Sequence, residues 1–250
     1  MTKKLKIIII HQPNYLPWLG FFHKIMVSDI FVILDDVQFE KNGYNNRNKI
    51  KTANGEMWLT VPIIRKGKPK STTINNSLID NTQKWKEKHL KSIKLNYSKA
   101  PFYKKYIGFF EEVYSKEWTN LSELNIYIIN WILKELSIKT KVVISSEIDG
   151  KKGEKDDLIL DICKRLKGDI YVSGTLGRDY IQNWKFAKEK IFVYFQEYVH
   201  PEYNQMYGDF RFYMSIIDLM FNYGAKSKEI IMQRNISREQ IINRRLENEK

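Results

Sequence analysis

Cysteine is almost missing from this chain. The single Cys163 excludes an internal disulfide and a cysteine-based zinc site, and its apolar helical position assigns it to packing. Histidine is scarce too, with four in 250 residues, and none of them has HxxxH-type ligand spacing. No GxSxG elbow is present, which removes the nucleophilic-serine hydrolases. There is no uninterrupted apolar run of about 18 residues, so no membrane span is expected. The apolar run in MTKKLKIIIIHQPN is too short for a signal-peptide core and lacks a small-residue cleavage site, so a cytoplasmic protein is expected. Arginine supplies only nine of the 42 basic residues. Specific base readers lean on arginine. The net charge of +13 therefore argues less for nucleic acid than it first suggests, and lysine, isoleucine and asparagine, in which the chain is rich, are the residues an AT-rich genome favours.

The charge is uneven all the same. Residues 49–106 hold 14 Lys/Arg against 3 Asp/Glu, and the run Arg65 to Lys70 reads as an exposed basic loop. Such a field attracts phosphate-bearing ligands. A solvated face without a role fits equally well, and RNA is the weaker reading.

The most informative segment is IIIIHQPNYLPWLGFFHK, residues 7–24. Four isoleucines make a β-branched run of strand length that stops at His11-Gln12-Pro13-Asn14. A helical pattern restarts near Leu16, with Trp18, Leu19, Phe22 and Ile25 in phase. Open α/β sheets bind ligands where a buried strand gives way to a helix. Pro13 and Pro17 stiffen this corner. The alternative is a buried corner whose polar groups only cap.

A second apolar run, Ile30 to Leu34, ends in Asp35-Asp36. Strand, helix and strand within about 30 residues is the length of a βαβ unit. Parallel pairing would bring His11 and Asp35/Asp36 to one edge of a sheet. GYNNRNKIKTANG reads mostly as loop, 57–63 as a strand, and 83–97, 101–115 and 120–136 as helices. The α/β rhythm then returns, with strands at 140–146, 169–174 and 191–196 and helices at 156–166 and 214–224. LGRDYI reads as opening a helix, 200–210 as an aromatic, polar loop, and the tail from Ser237 as a fraying peripheral helix. The expected fold is α/β: one unit over 1–250, a mostly parallel sheet covered by helices on both faces, and a helical insertion or cap at 80–136.

His11 can serve as a general base, phosphate donor or metal ligand, and Gln12 and Asn14 offer bidentate amides beside it. Tyr15, Trp18, His23 and Lys24 complete that stretch, with core packing as the alternative for His23 and solvent for Lys24. Asp35-Asp36 can hold magnesium or take a proton from an amine, or merely form a turn. Gln38, Arg47 and Asn48 follow in polar segments, and Arg47 can clamp a carboxylate or phosphate. Ser173 and Arg178 sit in SGTLGRDYI, whose glycine spacing is neither a P-loop nor a dinucleotide fingerprint. His200, Tyr203 and Gln205, in HPEYNQ, offer a further imidazole, stacking and hydrogen bonds. His89 reads as surface or packing. No metal site is assigned.

In this order and over nearly the whole chain, HQPNYLPWLGFFHKI, DIFVILDDVQF, RNKIK, WLTVPI, YVSGTLGRDYI and HPEYNQ resemble the WbqC-like protein family. The resemblance implies O-antigen or other surface-polysaccharide biosynthesis, with other enzymes of that pathway as partners. It implies a transferase that moves glycine or another small acyl group onto an amino sugar, nucleotide- or lipid-linked. His11, Asp35 and Asp36 are then the catalytic candidates. Forming an amide from a free amino acid requires carboxylate activation, which makes ATP with magnesium the cofactor to test. Two other classes remain: a non-catalytic module that binds a precursor or partner, and an adenylating or nucleotidyl-transfer enzyme. The latter rests on a loose likeness to strand–HxGH–helix corners, although the chain has no HxGH.

Overall fold

A computed structural model describes residues 4–65, 67 and 72–248. Most of the basic run Arg65 to Lys70 therefore lies outside the described residues. Five parallel strands form the main sheet: β1 (Ile7–His11), β2 (Ile30–Ile33), β5 (Lys141–Ile144), β6 (Ile170–Ser173) and β7 (Phe192–Phe195). Their spatial order is β5-β2-β1-β6-β7. β1 sits at the centre, and its four isoleucines are buried because neighbours cover both faces of the sheet. Burying each such side chain is worth roughly 1.5–3 kcal/mol relative to exposure.

Side-chain alternation splits the core in two. Ile7, Ile9, Phe31, Ile33 and Val172 face one way, toward α1 (Leu19–Met26), α4 (Leu121–Glu135) and α7 (Ile216–Tyr223). Ile8, Ile10, Val32 and Tyr171 face α5 (Lys155–Arg165) and α6 (Asn183–Lys188), with Cys163 packed among them. The expected α/β fold with helices on both faces is what the chain adopts.

Between β2 and β5 run a hairpin, β3 (Arg47–Thr52) and β4 (Gly55–Thr60), and the helices α2 (Trp85–Tyr97), α3 (Tyr103–Ser115) and α4. The hairpin corrects the loop expected over GYNNRNKIKTANG. Asn48 and Ile50 face inward while Arg47 and Lys49 face outward, the alternation of a half-buried strand. Ala53-Asn54 make the turn between the paired Thr52 and Gly55, and Gly55 opens β4 at φ +105°. LGRDYI is a second correction: Thr175–Asp179 is a short 3-10 turn, and the α-helix begins only at Asn183. α7 stops at Gly224, whose φ of 57° and ψ of −132° lie outside the left-handed helical region and are open to glycine. The chain closes with α8 (Ser227–Met232) and α9 (Arg238–Asn248). α9 is docked rather than frayed, since Ile241 and Arg245 are buried.

Candidate functional site

In chain order the sheet runs third, second, first, fourth, fifth, so the direction of winding reverses between β1 and β6. That switch point, at the carboxyl ends of the strands, is where open α/β sheets bind ligands. His11 ends β1 and Ser173 ends β6. Parallel pairing of His11 with Ile33 puts Asp35 and Asp36 on the same edge.

His11 is half-buried, and its ring meets Phe21 edge-on at 5.0 Å. Its Nδ1 lies 2.9 Å from the Gln12 carbonyl, which can only accept, so Nδ1 carries the hydrogen and Nε2 presents a lone pair. Burial, then the Lys24 charge, lowers its pKa to about 3, against the opposing Gln12 hydrogen bond. The imidazole is therefore neutral and basic in form at pH 7.

Lys24 is the unusual member. It projects from α1 with 4% of its surface exposed, and among the described residues its ammonium has no hydrogen-bond or ion-pair partner. A β-carbon added to Gly174 would sit 3.5 Å from Nζ, which places the ammonium beneath the loop after β6. Burial lowers its pKa to about 7. A buried cation without a counter-charge is costly, and an anion arriving at the switch point would offset that cost.

The corner is held by asparagines. Asn45 Nδ2 donates to Gln12 Oε1 at 3.0 Å and reaches the Pro13 carbonyl and Asn14 Oδ1 at 3.4 Å. Asn125 Nδ2, from α4, donates to the carbonyls of Pro13 (3.1 Å) and Asn45 (2.7 Å). Asn48 Nδ2 donates to the Leu16 carbonyl at 2.7 Å. Tyr15 leaves the edge altogether: its hydroxyl joins His89 Nδ1 (2.9 Å) and the Tyr114 hydroxyl (2.6 Å) in a buried network. His89 is thus a packing histidine, and burial holds its pKa near 4.

Other candidates are engaged structurally. His23 donates from Nε2 to the Ile236 carbonyl (3.0 Å) and accepts at Nδ1 from Gln196 Nε2 (2.8 Å), so both nitrogens are used. Asp35 accepts from the Ser146 amide (3.0 Å) and hydroxyl (2.7 Å), fixing the loop after β5. Asp36 pairs with Lys151 at 2.5 Å, while its Oδ1 is buried without a partner. The two carboxylates thus face different partners, and among the described residues no cluster of three metal-ligating side chains occurs. Gln38 is exposed in a bridge with Thr73. Ser173 is buried against Gly177, and Arg178 pairs with Glu197 at 2.6 Å.

The loop after β7 carries the aromatic group. His200 donates from Nδ1 to the Pro201 carbonyl (2.9 Å), and the Tyr213 amide points at its Nε2 (3.3 Å). Trp18 stacks near His200 at 6.4 Å and meets Tyr213 at 5.6 Å. Gln205 closes the loop onto the backbone of Arg211. Tyr203 donates to Asp218 Oδ2 at 2.9 Å. Asp218, Lys51, Asn45, Asn125 and Lys151 were not singled out in the sequence. A lone acid in IIDLMF and a lone amide in ELNIYII were the available signals. A cleft of about 490 Å³, lined by Asp29, Thr140 and Arg238, opens at the opposite edge and touches none of the candidates.

The fold is that of a doubly wound α/β protein, and its switch point gathers His11, Lys24 and Ser173. The chain belongs to the WbqC-like protein family, whose model matches residues 12–230. A relative from Mycobacterium tuberculosis, the uncharacterized protein Rv1507c, is 35% identical over 229 residues, covering 91% of this chain and 98% of its own length. No solved structure matches the chain. No helix among the described residues is long and apolar enough to cross a membrane.

Proposed function

We propose that the carboxyl edge is the active site of a group-transfer enzyme acting on a phosphate-bearing amino sugar. Glycyl or another small acyl transfer, in O-antigen or other surface-polysaccharide biosynthesis, is the reaction this reading favours. The observation that carries it is the juxtaposition at the switch point of two functional atoms with no partner among the described residues, the His11 Nε2 lone pair and the Lys24 ammonium. In the reaction the acceptor amine attacks an activated acyl carbonyl, a C–N bond forms, and the donor's leaving group departs with its electron pair. His11 Nε2 accepts a hydrogen bond from the amine and orients it for attack, and the proton departs with the leaving group. Lys24 faces the phosphate of the acceptor, and Asp35 keeps the adjoining loop in place. An activated donor is required, which makes ATP with magnesium a sensible supplement, and other enzymes of the pathway are its natural partners.

The competing reading is a binding module without turnover. It draws support from Asp35, whose carboxylate is occupied by Ser146. Incubating the protein with a nucleotide-linked amino sugar, glycine, ATP and magnesium, with mass spectrometry of the sugar, separates the two. The proposal expects a glycyl adduct that His11→Ala abolishes. Saturable sugar binding without any adduct across a panel of activated donors would favour the binding module.

A further inference from the structure

The outer face of the β3–β4 hairpin has no part in the chemistry just described, yet it is unusual. Arg47, Lys49 and Trp58 share it, because direct pairing sets Lys49 opposite Trp58 and Arg47 opposite Thr60. The Arg47 guanidinium lies 4.5 Å from the centre of the Trp58 ring, and Lys49 Nζ lies 5.8 Å from it. Tyr44 stands beside Trp58 at 5.9 Å. Both rings are open to solvent, Tyr44 at 45% and Trp58 at 43%. Arg47 Nη2 donates to the Asn42 carbonyl, but its Nε is buried with no partner. Nothing in the packing requires two large rings to stand exposed beside cations.

This face adjoins the His11-Gln12 corner. The Tyr44 carbonyl accepts from the Tyr15 amide at 3.1 Å, and Asn45, the next residue, holds Gln12, which holds His11. On the far side the Lys49 carbonyl accepts from Ser215 at 2.8 Å, so the strand also abuts the Trp18–Tyr213 aromatics. Exposed aromatic rings stack planar bases with little regard to sequence, and arginine adds a cation–π and phosphate partner. A neutral glycan would use the rings and leave the cations idle.

We infer that the outer face of this hairpin is the nucleoside end of a nucleoside diphosphate subsite, in which the base stacks on Trp58 and Tyr44, Arg47 and Lys49 face the nucleoside-side phosphate, and the sugar-side phosphate is left to Lys24. The inference rests on the phosphate-site reading above and narrows it: the acceptor is nucleotide-linked rather than lipid-linked. Lys49 is partly neutralised by Glu56 at 2.6 Å, so Arg47 is the freer cation.

Isothermal titration and tryptophan fluorescence with uridine diphosphate, adenosine diphosphate and inorganic pyrophosphate test it. Both nucleotides are expected to bind about tenfold or more tightly than pyrophosphate, the margin that stacking on an aromatic side chain supplies. Trp58→Ala should erase that margin and leave pyrophosphate affinity unchanged, while Trp58→Tyr should keep most of it. Pyrophosphate binding that Lys24→Met abolishes, with no nucleoside margin in the wild type, overturns this inference and leaves the phosphate-site reading standing. A margin that survives Trp58→Ala also overturns it. Failure of all three probes overturns both.

Discussion

Two buried polar clusters of this molecule use the same materials to opposite ends. Around Asp218, the Tyr97 and Tyr203 hydroxyls each donate to the carboxylate at 2.9 Å, and Lys51 donates to the carbonyls of Gly208 and Asp209. Every charge there has a partner. At the β1–β6 switch point Lys24 has none among the described residues, and His11 keeps a free nitrogen. Satisfied buried polar groups hold a fold together. Unsatisfied ones cost stability and are retained where a ligand completes them. Asp218 ties β3, α2, α7 and the aromatic loop to one another, and that is structural work. Lys24 ties nothing.

Breaking the satisfied cluster should have the largest effect. Asp218→Ala leaves the buried Tyr97 and Tyr203 hydroxyls without their acceptor, and should cost about 2–5 kcal/mol in a urea unfolding curve. Acidification comes next. Burial lowers the pKa of both His23 and His89 to about 4, below the ordinary value of 6.5. The unfolded chain takes up these protons first, so stability falls as pH drops from about 6.5 toward 4, by up to ~1.4 kcal/mol per histidine per pH unit. Asp218 pulls the other way: burial raises its pKa to about 6, so its contribution shrinks as pH rises from 4 through 6. Asp218→Asn should therefore steepen the acid loss, which unfolding midpoints at several pH values will show.

Smaller effects sharpen the comparison at the corner. Asn45→Ala frees Gln12 and Asn14 and should cost about 1–3 kcal/mol, with a larger relative loss of ligand affinity than of stability. The smallest effect is a proton count. An anion beside Lys24 favours its charged form, raising a pKa that stands at about 7, so ligand binding near pH 8 should take up a fraction of a proton. Titrations in two buffers of different ionisation enthalpy measure it.

The strands of the main sheet were legible because β-branched apolar runs stop at polar residues, as at Ile10-His11 and Leu34-Asp35. The second strand of the outer hairpin was legible at 57–63, but the first was not, because Ile50 is its one apolar residue among asparagine, lysine and threonine. The helix expected at LGRDYI became a tight turn beneath which Ser173 packs against Gly177. At the site, His11, Gln12 and Asn14 were legible from their abrupt place after a buried strand. The engagement of Asp35 was not, because Ser146 lies 111 residues away in sequence. Nor was the rank of Lys24 among the candidates, since its approach to Gly174 and His11 exists only in three dimensions.

Lys24→Met gives the most direct test, read for stability and binding in one preparation. Removing a buried cation that has no partner among the described residues should raise the unfolding free energy by about 1 kcal/mol or more at pH 7, while abolishing the binding of pyrophosphate and of phosphate-bearing amino sugars. A variant that loses stability, or that binds these ligands as the wild type does, would contradict the assignment of the switch point as an anion site.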